Sequence, residues 1–203
     1  MKTRELRRWI VCALALSAAA LLSACSEQAA PGFNGVDITG ADYAKDFALT
    51  DHNGQARTLK DFQGKAVVMF FGYTQCPDVC PTSMTELAAA RKILGEQGSK
   101  VQGLFVSIDP ARDTPEVMKA YIESFDSSFL ALYASSPDQL AALAKDYKVY
   151  YKKVDGKSAG NYTMDHSAGM YVYDPKGRLR LYLRYGMGAA PLADDVRRLL
   201  NEK

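Results

Sequence analysis

Histidine is scarce in this chain, two residues among 203, and cysteine is little commoner at four. So few histidines exclude several histidine-rich metal sites, and each histidine and cysteine can be weighed singly. Neither sign of charge dominates: 25 Lys and Arg stand against 23 Asp and Glu, a formal net charge of +2. That balance offers no basic face of the kind a phosphate backbone demands, which argues against nucleic acid as a partner. With 48% hydrophobic and 24% charged residues the composition is that of an ordinary globular protein, not of a disordered, collagenous or multi-span membrane chain. A length of 203 residues is within the reach of one domain.

The chain opens on a basic cluster. Lys2, Arg4, Arg7 and Arg8 precede an uncharged Ala/Leu-rich run over residues 9–24, which ends in Leu22-Ser23-Ala24-Cys25. This is the pattern of a secretory signal peptide. At 16 residues the run falls short of the roughly 20 that a bilayer span takes. Leu-Ser-Ala-Cys resembles the bacterial lipobox, which implies a signal peptide over residues 1–24, cleavage before Cys25 and lipid on the Cys25 thiol. Cys12 reads as a small apolar residue of the run. Processing would remove four basic residues and Glu5, leaving 21 basic against 22 acidic residues and a formal charge of −1. Residues 25–32, small and polar after Cys25, read as a tether between lipid and a folded domain over 33–203.

From Phe33 onward there is no repeat, low-complexity block or second linker. Residues 65–72 and 101–108 are continuous apolar runs, as expected of central strands buried on both faces. Helical periods lie between and after them. Met84, Leu87 and Ala88 begin the first. Val117, Ala120, Tyr121, Ser124 and Phe125 mark the face of a second, with Thr114 as N-cap and Pro115 at the first helical position. Ser136-Pro137-Asp138-Gln139 is a capping box ahead of Leu140, Leu143, Ala144 and Tyr147. Leu192, Val196, Leu199 and Leu200 give the fourth. Before that last helix, Asp174-Pro175-Lys176-Gly177 is a hairpin turn between two strands. The order predicts an α/β protein with a central mixed sheet flanked by helices, and a thioredoxin-like arrangement fits it.

Gly72-Tyr73-Thr74-Gln75-Cys76-Pro77-Asp78-Val79-Cys80-Pro81 follows directly on the first central strand, at the carboxyl end where α/β sheets place their chemistry. Pro81 at the first helical position makes Cys80 the expected N-cap, its sulfur near unpaired backbone N–H groups and the positive end of the helix dipole. Both favour the thiolate. Two cysteines four apart on a turn can bite one metal ion or close a disulfide. A purely structural bridge closing so short a loop would stabilise the fold little, so chemistry is the favoured reading. The expected third member is His166, just ahead of strand residues 170–173, which lie beside the cysteine-bearing strand in a thioredoxin-like sheet. Two thiolates and an imidazole suit a soft or borderline first-row ion, with copper at the top of the affinity order. His52, in a turn without such company, is assigned no ligand role.

These ten residues, followed by Val106-Ser107-Ile108-Asp109-Pro110-Ala111-Arg112-Asp113-Thr114-Pro115 and then Asp165-His166-Ser167, resemble the Sco/SenC family of copper-binding, thioredoxin-fold proteins. The resemblance runs from about Tyr43 to the C-terminus. It implies that Cys76, Cys80 and His166 bind one copper ion, as Cu(I) or Cu(II). It also implies a periplasmic, membrane-tethered protein that assists assembly of the binuclear copper centre, CuA, in cytochrome c oxidase subunit II, with other periplasmic copper proteins as possible partners. Asp78 and Asp165 are candidates to lie near the metal, where a hard carboxylate would suit Cu(II) better than Cu(I); ordinary turn chemistry is the equal alternative. Asp109 to Pro115 is assigned mainly to structure, with Asp109 ending a strand and Arg112 pairing Asp113. Residues 152–161 are expected to form a loop that orders when His166 binds metal. The tyrosines, among them Tyr150, Tyr151, Tyr162, Tyr171, Tyr173 and Tyr185, are expected mostly to pack on strands, with some left for a partner surface.

Three functions compete for the cysteine pair. A metallochaperone, a binding protein and not an enzyme, is expected first. A thiol-disulfide reductase using Cys76 and Cys80 to keep a target's copper-ligand cysteines reduced is the alternative. Against simple thioredoxin chemistry, the cysteine spacing is one residue longer than Cys-x-x-Cys and no proline occurs over 160–173. A peroxiredoxin-type peroxidase ranks last, because Thr74 stands two residues before Cys76 and not three.

Overall fold

The computed structural model describes residues 32–158 and 161–202. The basic leader, Cys12, Cys25 and all of the tether but Gly32 lie outside the described residues. From Phe33 onward the chain forms one compact unit, built in order from β1 (Val36–Asp37), β2 (Leu49–Asp51), β3 (Ala56–Arg57), β4 (Ala66–Gly72), α1 (Val79–Ile93), β5 (Val101–Ser107), α2 (Pro115–Glu123), β6 (Leu130–Tyr133), α3 (Pro137–Asp146), β7 (Tyr151–Asp155), β8 (Tyr162–His166), β9 (Met170–Tyr173), β10 (Leu179–Leu183) and α4 (Ala189–Asn201). Among the described residues no helix is long and apolar enough to cross a membrane.

The two apolar runs are the centre. All seven residues of β4 and all seven of β5 are buried, and the strands pair in parallel from Ala66 opposite Val101 to Gly72 opposite Ser107. Helix α1 makes the crossover between them, and α2 connects β5 to the parallel strand β6. On its other edge β4 takes β9 as an antiparallel neighbour, and β10 and β1 follow. The full order, β1-β10-β9-β4-β5-β6-β2-β3, is the expected mixed sheet. Each fully buried Phe or Leu of this sheet, Phe70, Leu104 and Phe105 among them, stabilises the fold by ~1.5–3 kcal/mol. The sheet thereby holds the carboxyl end of β4 rigid where the cysteine turn begins.

The signals for α2 and α3 come out as read, with one departure in each. Thr114 Oγ1 accepts from the Val117 N–H at the head of α2, yet the buried residues there are Met118 and Ile122, while Val117 is 42% exposed. The true stripe is Met118, Tyr121, Ile122 and Phe125, one residue on from the expected face. In α3 the Ser136 hydroxyl caps Gln139 N–H, but the Gln139 side chain returns to the Ser135 N–H and not to that of Ser136. The turn between β9 and β10 closes as expected, with Asp174 Oδ1 accepting from the N–H groups of Lys176 and Arg178 and Gly177 at φ 74°. Buried Asp195 on α4 accepts from the N–H groups of Asn34 and Gly35, fastening the start of the domain to its last helix.

The expected loop over 152–161 is instead largely a hairpin. β7 pairs antiparallel with β8, Tyr151 opposite His166. From Lys152 to the end of β7 every residue is exposed, so the strand carries no apolar alternation from which a pattern could be read. Of the tyrosines, Tyr171 and Tyr173 are buried strand residues as expected, but Tyr150 and Tyr185 are 58% and 44% exposed.

Candidate metal centre

Gly72 ends β4 because a side chain there has no room: a Cβ would lie 2.8 Å from both Cys80 Sγ and the Phe70 ring. The turn that follows delivers Cys76, half-buried, and Cys80, wholly buried. The expected cap is corrected here. Asp78, not Cys80, is the N-cap, and α1 begins at Val79. Pro81 is therefore the third helical residue, a place still free of penalty because the first four helical N–H groups have no intrahelical partner.

The shift reverses the roles of the two sulfurs. The orphan N–H of Cys80 donates to Cys76 Sγ at 3.3 Å. Cys76 is held well below the usual thiol range, first by the hydrogen bond from the Cys80 side chain, against the opposing effect of burial, and then by His166 and by the backbone N–H groups of Asp78 and Cys80. Cys80 is pushed up, first because it donates to Cys76 and then by burial. The half-exposed cysteine is thus the thiolate and the buried one keeps its proton. Both are free of any disulfide.

His166 ends β8 with Nε2 3.5 Å from Cys80 Sγ. Its Nδ1 lies 2.8 Å from the Ser167 carbonyl oxygen, an acceptor only, so Nδ1 carries the proton and Nε2 keeps its lone pair toward the sulfurs. Edge-on contacts to Phe70 at 6.0 Å and Tyr73 at 5.9 Å fix the ring. The two sulfurs and an imidazole nitrogen all lie within 4.8 Å of one another. They face a cleft of about 290 Å³ whose lining includes Tyr73, Asp78, Met164 and Asp165. Asp78 and Asp165 are exposed on that lining and outside the cluster of three donors. A larger hollow of about 530 Å³, around Arg91 and Asp126, gathers no cysteine or histidine. His52 is elsewhere, its Nδ1 accepting from the Ala131 N–H.

The expected pair of Arg112 with Asp113 does not form, and β5 stops at Ser107, short of Asp109. The tight turn after β5 sends the two neighbouring side chains apart. Asp113 turns inward to accept from the hydroxyls of Ser107 and Thr74, each at 2.6 Å, and burial raises its carboxyl although those bonds oppose the rise. Arg112 donates to Asp109 Oδ2 at 2.5 Å, to Gln75 Oε1 at 3.1 Å and to the Tyr162 carbonyl at 2.9 Å, while its guanidinium lies 3.5 Å from the Tyr162 ring centroid. The Tyr162 hydroxyl in turn donates to Asp109 Oδ1. Arg112 joins the residue before Cys76 to the strand that ends in His166, a role sequence reading missed; the charged run over 109–115 was its only signal.

Comparison with known proteins places these features among relatives. The sequence profile of the SCO1/SenC family matches residues 36–201. The Bos taurus protein SCO2 homolog, mitochondrial, is 37% identical over 155 residues, which make up 75% of this chain and 58% of the bovine one. The chain thus spans under two thirds of that relative's length. The structure of Bradyrhizobium japonicum ScoI with copper bound superposes with a TM-score of 0.69 at 43% identity, covering 76% of this chain and 97% of that one. Apo Sco1 of Thermus thermophilus gives a TM-score of 0.73 at 36% identity, covering 84% and 99%.

Proposed function

The chain belongs to the SCO1/SenC family, and from that membership and the donor geometry we propose that it carries one copper ion, as Cu(I) or Cu(II), on Cys76, Cys80 and His166 and assists assembly of the CuA centre of cytochrome c oxidase subunit II. The observation that carries this reading is the convergence of two sulfurs and one imidazole nitrogen within 4.8 Å. The donors fit the ion: thiolate and imidazole both suit copper, whereas a structural zinc site takes four protein ligands. No fourth His, Cys, Asp or Glu joins the cluster among the described residues. Copper is cargo here, an ion to be accepted and passed on. Cys76 meets it as a thiolate, His166 offers the Nε2 lone pair, and Cys80 gives up its proton to become the second sulfur ligand, so affinity rises with pH. The cleft leaves one side of the cluster open to the cysteines of a recipient.

The reading extends to residues outside the described part of the chain. Residues 1–24 direct export, Cys25 carries lipid, and residues 25–32 tether the domain over 33–203 to a membrane facing the periplasm. The lipobox-like Leu22-Ser23-Ala24-Cys25 supports this.

A second reading is favoured by the asymmetry of the cysteines. A half-exposed thiolate at Cys76 above a buried, protonated Cys80 is the arrangement of an attacking and a resolving thiol. Cys76 would attack a target disulfide, releasing one target thiolate. Cys80 would then displace the second, leaving a Cys76–Cys80 disulfide and a reduced target.

Titration of the reduced protein with copper against a competing chelator separates the readings. The chaperone reading expects about one ion per chain, a loss of Cu(II) affinity in His166→Ala of about a hundredfold, equal to ~2.7 kcal/mol, and transfer of the ion to a soluble CuA-bearing domain. Unchanged copper binding by His166→Ala would remove His166 from the ligand set. Reduction of the target disulfide at full rate by that variant, with no copper transfer by the parent, would favour the reductase.

A further inference from the structure

The three donors leave a side of the cluster open, and the cleft on that side is lined by Met164. Met164 stands two residues before His166 on β8, where Tyr162, Met164 and His166 are the half-buried positions and Thr163 and Asp165 the exposed ones. Met164 and His166 therefore share one face of the strand, and both line the cleft that holds Cys76. The other methionines of the domain differ. Met69, Met84, Met118 and Met170 are buried in the core, and Met187 precedes α4. The Met164 backbone lies against the Tyr73 hydroxyl, and the Tyr73 ring abuts His166, so its Cα is fixed relative to the imidazole. Three rotatable bonds then let the thioether search the cleft.

We propose that the Met164 thioether is a further, weak copper ligand that closes the open side of the site around Cu(I). The inference rests on the copper reading above and deepens it. A thioether is a soft, neutral donor that selects Cu(I), and a long, weak methionine contact beside cysteine and histidine ligands is established copper chemistry. Met164 adds no charge and no proton to be displaced. It stabilises the reduced ion without matching gain for Cu(II), so the site is biased toward carrying Cu(I).

Selenomethionine labelling makes that sulfur position visible. Selenium K-edge absorption of the labelled, Cu(I)-loaded protein is expected to show a selenium–copper distance, retained in Met187→Leu and lost in Met164→Leu. Leucine keeps the volume and the apolar character, so the fold should tolerate it, and Met164→Val serves as a second variant. Both are expected to weaken Cu(I) about tenfold while changing Cu(II) affinity less than about twofold. Copper uptake without a selenium–copper distance, and with unchanged Cu(I) affinity in both variants, would overturn the proposal alone. Failure of the parent to take up copper would overturn the reading beneath it as well.

Discussion

Cys76 and Cys80 differ by four positions in sequence and by opposite protonation in the fold. The cause is a shift of two residues in helix register. With α1 beginning at Val79, the orphan N–H of Cys80 and the positive end of the helix serve the Cys76 sulfur. A lowered pKa means that the Cys76 thiolate persists as pH falls below the ordinary thiol value of roughly 8.5. Limited iodoacetamide should therefore alkylate Cys76 alone, with a midpoint well below that value. Cys80→Ala deletes the largest stabilising contact and should move the midpoint up. Alkylation at Cys80, or a midpoint of a free thiol, would refute the assignment. The three donors that the fold brings together were legible in sequence because cysteine and histidine are rare here and Cys76, Cys80 and His166 sit at strand or helix ends. The cap was misread because proline is tolerated at the third helical position as well as the first. The place of Met164 was hidden, since a methionine in an exposed hairpin resembles any packing residue until its strand face is known.

The hairpin of β7 and β8 stands apart from the main sheet as a separate two-stranded one, and polar contacts fix its base. Arg112 provides the strongest set, reaching Asp109, Gln75 and the Tyr162 carbonyl at once. Arg112→Ala should loosen the hairpin and weaken the histidine-dependent binding of Cu(II) by about tenfold, within the 10–100-fold range for residues that orient ligands. Cu(I), held chiefly by the two sulfurs, should lose less. Lysine lacks the planar fork and should restore little. Amide exchange over residues 151–155 and 162–166 should quicken in both variants. Unchanged exchange together with unchanged Cu(II) affinity would count against the positioning role. The central elements of the domain were readable, because β4 is an unbroken apolar run and β5 a largely apolar one. The short strands β1, β2 and β3 were not, since two or three residues carry no period, and β7 was concealed by its lysines.

Across the whole molecule, a near-neutral charge leaves specificity to the cleft and the pH dependence of stability to local polar clips. Burial raises the carboxyl of Asp51, but bonds from Gln55, Arg57 and Asn53 outweigh it and hold the group below its ordinary value. Asp126 and Asp174 are lowered in the same way, against burial, by Ser128 and Arg91 and by Arg178 and Lys176. Each contributes stability that is present above the unfolded-state pKa of roughly 3.9 and is lost as pH falls through the lower folded value. Asp113, raised by burial, acts in the opposite sense, and its cost fades in acid. With Asp37, Asp61 and Glu202 also lowered, such groups outnumber Asp113, so the urea midpoint is predicted to fall as pH drops below about 4; a rise there would contradict the assignment of these clips. The claim on which the rest depends is that three side chains from two distant parts of the chain hold one ion. Copper K-edge X-ray absorption of the loaded protein tests it most directly. Two copper–sulfur bonds to cysteine and one copper–nitrogen bond to imidazole, with the nitrogen lost in His166→Ala, are expected. A shell of oxygen and nitrogen alone, or a spectrum that His166→Ala leaves unchanged, would contradict it.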